Sequence, residues 1–421
     1  MPTEPAVLTN SRKRILFATI GSLGDLHPCL ALALELKRRG HHVTIATTEF
    51  YCSKIEALGI DCRSLRPNWR PNDPELIRQC EDLRRGPEVL FRDLILPNLR
   101  DTYADLLVAA SDADLMLAGE LVFAAPLVAE KRRLRWASII LSPCSFLSAY
   151  DPSFLVNVPA LYRLRTAGRS INRLALDIGR LSIRHWWNPV HELRREHRLR
   201  IACDPLVKDK FSPDLVLALF SRVLAQPQPD WPSQTMQPGF VFYDSGGGNH
   251  EIVTEFLAAG DAPIVFTLGS TAVHNPGNFY EVSAQMAKKL GRRAILVGAN
   301  AEFSEPNVLA LPYVPYSKIF PHAAILVHQG GSGTTAEAMR AGRPMLLVPY
   351  GWDQPDNGKR IDRVGAGVSL SRQEYVPAMA YIALKRLLSD ASFAARSAEL
   401  GKRVQQEDGL TAACNAIEAI L

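Results

Sequence analysis

Three stretches of the chain combine residue types and spacings that can do chemistry. The most informative is His328-Gln329-Gly330-Gly331-Ser332-Gly333-Thr334-Thr335-Ala336-Glu337, which follows an apolar run and opens a helical pattern. Glycines let backbone approach a ligand closely. The free amides and positive dipole of a helix start favour phosphate oxygens, and Thr334 and Thr335 add hydroxyl donors. One turn further on, Glu337 can accept from a ribose diol. Taken alone, such a turn can equally be a structural cap. The second stretch is Gly351-Trp352-Asp353-Gln354-Pro355-Asp356-Asn357, where a carboxylate beside an amide suits hydroxyls that both donate and accept. A solvated turn with proline in the first helical turn accounts for Pro355 but not for the acid and amide beside it. The third is Gly21-Ser22-Leu23-Gly24-Asp25-Leu26-His27-Pro28. Its glycines are spaced too closely for the GxGxxG dinucleotide pattern.

The elements that position these residues alternate. Apolar runs at Ile15–Ile20, His42–Thr47, Asp114–Ala118 and Trp136–Leu141 read as strands. Helical patterns lie between them, at Leu26–Arg39, Glu49–Gly59 and Phe123–Arg133. Residues 66–105 and 145–200 interrupt the rhythm. It restarts with strands at Pro263–Leu268, Ala294–Val297, Ala324–Val327 and Met345–Val348, and helices at Thr334–Ala341 and Pro355–Val364. Strands alternating with helices predict parallel sheets covered on both faces. Proline density at Gln226–Pro232 marks a linker. The predicted organisation is an N-terminal doubly wound domain over 1–230, a second over 231–400, and a terminal helix over 401–421 that can pack back on the first. Open parallel sheets bind ligands at the carboxyl ends of their strands, so two facing sheets put the site in the cleft between them.

With this frame, the residues Tyr313-Val314-Pro315, His322, Val327-His328-Gln329-Gly330-Gly331, Glu337 and Asp353-Gln354 resemble the donor-binding signature of family 1 glycosyltransferases, inverting enzymes of the two-Rossmann-domain GT-B architecture. The resemblance implies that Tyr313 stacks on the donor base and Val314 meets it through its backbone. Gly269, Ser270 and Thr334 contact the diphosphate with the Gly331-Ser332-Gly333 turn, Glu337 holds the ribose, and Asp353 and Gln354 hold the sugar. Relatives usually carry a diphosphate-binding His where this chain has Gln329; His328 matches the first His of a His-His pair in some bacterial and sterol-type relatives. Antibiotic, rhamnolipid and sterol glycosyltransferases often share Gly-Ser-x-Gly-Asp, which makes Asp25 the expected general base. Two readings compete: Asp25 as a helix cap, or His27 as the base with Asp25 orienting it. Glu120 stands where His-based relatives have a second carboxylate. The implied donor is UDP-glucose or a dTDP/UDP-sugar, and no metal or cofactor is expected. Asp112-Ala113-Asp114 superficially matches a metal-binding DxD, but it precedes a strand and reads as a turn.

Composition bounds the partners. The chain has 421 residues and a formal charge of +5, too weak for nucleic-acid binding. Its seven cysteines form no CxxC pair, which suggests reduced thiols in the cytoplasm. The apolar run after Arg12-Lys13-Arg14 is too short for a signal peptide, and nothing approaches the ~18 apolar residues of a membrane helix. Phe146, Tyr150, Phe154, Tyr162, Trp186 and Trp187 can line a pocket for a small apolar acceptor or pack extra helices. Residues 160–200 hold ten arginines against three acids, either a solvated helix face or a weak peripheral contact for anionic lipid. Two other functions suit the scaffold: a nucleotide-sugar epimerase, and a non-catalytic helper with a decayed site, to which Gln329 lends support. A missing GxGxxG speaks against a dinucleotide oxidoreductase.

Overall fold

The computed structural model describes residues 12–155, 162–244, 246 and 250–421. The first half builds one all-parallel sheet from β1 (Arg14–Ala18), β2 (His42–Thr47), β3 (Asp61–Ser64), β4 (Leu115–Gly119), β5 (Arg135–Ile140), β6 (Leu215–Ala218) and β7 (Thr235–Met236). Their order across the sheet is β3-β2-β1-β4-β5-β6-β7. Because helices cover both faces, β1 is apolar at successive positions rather than alternating. Ile15 and Phe17 join one core cluster with Leu30, Val43 and Ile45, while Leu16 and Ala18 join another with Leu106, Phe123 and Val128.

The second half repeats the plan. Strands β8 (Ile264–Thr267), β9 (Ala294–Val297), β10 (Val308–Leu311), β11 (Ile325–His328), β12 (Met345–Leu347) and β13 (Gly367–Ser369) lie in the order β10-β9-β8-β11-β12-β13, again all parallel. Strand order reverses between β1 and β4 in the first sheet and between β8 and β11 in the second. Crevices open at such reversals, beyond the carboxyl ends of the strands. The Ser22–Asp25 turn follows β1, Glu120 follows β4, Gly269-Ser270 follows β8 and Gln329–Gly331 follows β11. The candidate chemistry therefore sits where doubly wound topology makes room for ligands.

In several places the structure adds detail to the sequence reading or departs from it. Thr235–Met236 pairs with β6, so the proline-dense stretch runs inside the first sheet's domain rather than between the halves. Trp231 within it is a core residue, stacked on Phe146 at a ring distance of 4.0 Å. The terminal helix Gly409–Ala419 lies on the first sheet: Ala413, Cys414 and Ile417 share a core with Leu30 and Val43, and Glu418 pairs with Arg39 at 2.7 Å. The chain thus crosses between the halves twice. Cys52 and Cys62 form a disulfide, which corrects the expectation of reduced thiols throughout and removes that support for a reducing compartment. The 145–200 segment contains ordered helices at Arg169–Ile183 and Asn188–Glu196. Among the described residues, no helix is long and apolar enough to cross a membrane.

Candidate active site

The glycine turn after β11 leads into helix Ser332–Ala341, whose N-cap is Gly331. Its N-cap makes no side-chain bond, and among the described residues its first-turn amides have no acceptor, the arrangement that receives an anion. The loop after β8 closes against it. Gly269 has φ +67°, a conformation that favours glycine, and a Cβ there would lie 2.1 Å from Gln329 Nε2 and displace the end of that side chain. Gln329 is buried and donates weakly to Thr334 Oγ1 at 3.4 Å. His328 is fully buried; its Nδ1 accepts the Gly330 N–H at 3.1 Å, and burial pushes it down to about 3, so the ring is neutral. It shapes the turn from behind. Of the two neighbours, Gln329 is the one beside Gly269 and Thr334.

Asp353 is tied to this turn. Its Oδ2 accepts from Ser332 Oγ at 2.6 Å and from Asn357 Nδ2 at 2.8 Å. Asn357 also donates to Gly330 O at 2.9 Å, joining the glycine turn to the Asp353 helix start through one amide. The sequence reading assigned no role to Asn357, although its place one helical turn after Asp353 is the spacing at which side chains meet. Burial raises the Asp353 carboxyl, with the negative charge of Glu120 adding to it. Gln354 turns its Oε1 onto the loop, accepting from Tyr350 N–H at 2.8 Å and Gly351 N–H at 3.2 Å. Glu337 is raised by burial and ion-paired with Arg340 at 2.6 Å. Tyr313 is half exposed and Val314 is buried beneath it in the core. Behind the glycine turn, Tyr316 Oη and Thr267 Oγ1 bond at 2.9 Å, a further support that sequence reasoning missed.

On the facing half, Ser22 is the N-cap of helix Leu23–Arg38 and Asp25 closes a capping box. The Ser22 N–H donates to Asp25 Oδ2 at 2.8 Å. Asp25 thus has a structural part, closing the first turn of this helix. Its carboxyl is pushed up to about 7, first by burial and then by the charges of Glu120 and Asp353. An acid ionising near neutrality is what proton abstraction needs. Asp353 belongs to the other sheet's domain, so the two halves bring their carboxylates within electrostatic reach of each other. His27 is different. Burial and Lys54 push it down to about 4, its Nε2 is buried without a partner among the described residues, and its ring lies 4.9 Å from Tyr243. No hydrogen bond joins it to Asp25, whose partner is Ser22. Glu120 accepts from Ser145 Oγ at 2.9 Å and from Lys210 Nζ at 3.3 Å, a paired carboxylate whose charge reaches both Asp25 and Asp353.

The predicted acceptor aromatics separate. Phe146 is a core residue sandwiched by Phe211 and Trp231, so it is not a cleft wall. Tyr150 is exposed, lies under Arg169 at 5.0 Å, and lines a separate cavity of about 370 Å³ with Arg222, Arg363 and Arg403, at the far end of helix Gln354–Val364 from Asp353. The Phe154 N–H donates to Asp356 Oδ1 at 2.7 Å, within the first turn of that helix, and the Phe154 ring packs edge-on against Tyr162 at 5.4 Å. Asp356 is in turn ion-paired at 2.7 Å with buried Arg360, which also pairs with Asp151 of the first half.

Two doubly wound parallel-sheet domains in one chain are the GT-B class of fold. The solved spinosyn rhamnosyltransferase SpnG, complexed with thymidine diphosphate, shares it at a TM-score of 0.68 and 18% identity, over 96% of this chain and 100% of that one. Residues 15–131 match the glycosyltransferase family 28 N-terminal domain, and residues 300–413 match the erythromycin biosynthesis protein CIII-like C-terminal domain. The chain is 31% identical over 433 residues to O-mycaminosyltylonolide 6-deoxyallosyltransferase of Streptomyces fradiae, covering 96% of this chain and 97% of that protein. A sterol 3-beta-glucosyltransferase of Vanderwaltozyma polyspora is 25% identical over 429 residues, but this chain spans only 34% of its length. The chain belongs to the family 1-like glycosyltransferases.

Proposed function

We propose that this glycosyltransferase moves a hexose from a nucleoside-diphosphate sugar, UDP-glucose or a dTDP/UDP-sugar, to a hydroxyl of a small apolar acceptor of macrolide or sterol type, with inversion and without a metal ion. The observation that carries the proposal is the pairing of Asp25, an acid near neutrality, with the uncapped start of helix Ser332–Ala341 across one cleft. Asp25 takes the acceptor's proton while the acceptor oxygen attacks the anomeric carbon from the face opposite the diphosphate. The bond from that carbon to the β-phosphate oxygen breaks, and the departing charge is met by preorganised amides at Ser332–Thr334 and by Gly269-Ser270 and Gln329. Asp353 and the Gln354 amide hold sugar hydroxyls, Glu337 the ribose, Tyr313 the base through its ring and Val314 through its backbone. Thymidine diphosphate in the spinosyn enzyme and the macrolide substrate named for the Streptomyces fradiae relative support the donor and acceptor classes.

The test is incubation with UDP-glucose or dTDP-glucose, with and without a panel of macrolide aglycones, sterols and phenols. A transferase releases nucleoside diphosphate in step with glycosylated acceptor. An epimerase converts donor with no acceptor present, and a helper protein does neither; either result overturns the proposal.

A further inference from the structure

Helix Arg169–Ile183 leaves an apolar stripe uncovered. Ile171, Leu174, Ile178 and Leu181 are 46%, 61%, 61% and 60% exposed. Their spacing places them on one face of an α-helix. The other side fastens the helix to the protein: Asn172 is buried, with Nδ2 donating to Ala149 O at 3.1 Å, and Arg180 Nε donates to Asp204 at 2.9 Å. The stripe is therefore held rigidly and turned to the outside.

Its surroundings are cationic. Of the three acids in residues 160–200, Asp177 is engaged by Arg180 and Glu196 by Arg100. Arg163 and Arg184, exposed at either end of the helix, have no ion pair among the described residues, and Leu164 beside Arg163 adds another exposed aliphatic group. A stable protein interface takes about 800 Å² from each partner. Four aliphatic side chains on one helix offer on the order of half that, so a second protein is poorly served. A two-fold contact between copies would also bring arginine against arginine.

We infer that helix Arg169–Ile183 is a peripheral docking surface for an anionic lipid bilayer, lying in the interfacial plane with its aliphatic stripe at the acyl boundary and its arginines among the headgroups. The surface adjoins the cleft rim. Asn172 and Arg169 grip the loop that carries Ala149 and Tyr150, and the same loop runs on to Phe154, bonded to Asp356 beside the site. Docking there brings the rim of the cleft to the bilayer whatever the acceptor proves to be.

Vesicle flotation tests this without any activity readout. Wild-type protein is mixed with phosphatidylcholine vesicles or with equimolar phosphatidylcholine and phosphatidylglycerol vesicles. Leu174→Ser/Ile178→Ser and Arg163→Gln/Arg184→Gln are run beside it, with circular dichroism confirming that each is folded. Wild type floats with the anionic vesicles only and is released by raised salt. The aliphatic variant partitions about 10-fold or more weakly, and the arginine variant falls by about 10-fold or more. Wild type remaining with the soluble fraction, or both variants floating like wild type, overturns the inference. So does a shift from dimer to monomer on gel filtration of Leu174→Ser/Ile178→Ser, which assigns the stripe to a second copy.

Discussion

Asp353 stands close enough to Asp25 that its charge helps hold the Asp25 proton, although the two residues follow strands of different sheets. That relationship is what makes one site out of two doubly wound halves. It also makes the site sensitive to pH in a definite direction.

Activity should fall on the acid side. Asp25 is pushed up to about 7 and must be ionised to take a proton, so kcat/KM declines about tenfold per pH unit below that point and levels off above it. Glu120→Gln removes one of the charges responsible, and the acid limb then moves to lower pH. A limb that stays in place in Glu120→Gln removes Glu120 from the electrostatics of the base. Burial favours the protonated acid in the folded chain, so stability contributed by Asp25 is present at low pH and lost as pH rises through about 7. Above neutrality Asp25→Asn therefore unfolds at the same or a higher temperature than wild type, since the amide oxygen still accepts the Ser22 N–H.

Glu337→Ala should weaken nucleotide binding by about 10-fold or more, the usual worth of hydrogen bonds to a charged group. Glu337 is paired with Arg340 without ligand, so the variant also frees a cation beside Phe242, which the Arg340 guanidinium covers at 3.9 Å. Calorimetry with UDP and dTDP measures the change; unaltered affinity excludes Glu337 from the nucleotide site.

Asn357→Ala cuts the tie between Gly330 O and Asp353 Oδ2. Losing a buried amide with two partners costs about 1–3 kcal/mol of stability. The sharper consequence is kinetic: with Asp353 loosened, KM for the sugar donor rises while affinity for the free nucleoside diphosphate changes little. Equal losses for sugar donor and free nucleotide would mean that Asn357 acts only on the phosphate turn.

Arg360→Met removes the cation shared by Asp356 and Asp151 at the join between the halves. Leaving a buried carboxylate unpaired costs about 3–5 kcal/mol. Thermal unfolding reports it as a large drop in midpoint, larger than for Arg363→Met, whose exposed guanidinium also pairs with Asp151.

Much of this was legible before coordinates because the signals are local. An apolar run, a glycine turn and a helical period mark β11 and helix Ser332–Ala341 in consecutive residues, and the same logic finds β1 and the Asp25 turn. What was not legible depends on distant partners. Edge strand β3 exposes Asp61, Arg63 and Ser64 and buries only Cys62, so no apolar run announces it. Phe146 and Phe154 are the same residue type in one irregular stretch; Phe211 and Trp231, far along the chain, make the first a core residue, while the second is tied through its backbone N–H to Asp356 of the other half. The proline-dense stretch looks like a linker until Trp231 is seen inside the core. Asn357 needed no distant information: helical spacing from Asp353 would have found it.

The most direct measurement is single-substrate calorimetry and steady-state turnover on Asp25→Asn beside wild type. A general base accounts for at least ~100-fold in rate, so turnover should drop by that much while donor affinity stays the same. Near-normal turnover in Asp25→Asn would contradict the assignment of Asp25 as the group that activates the acceptor.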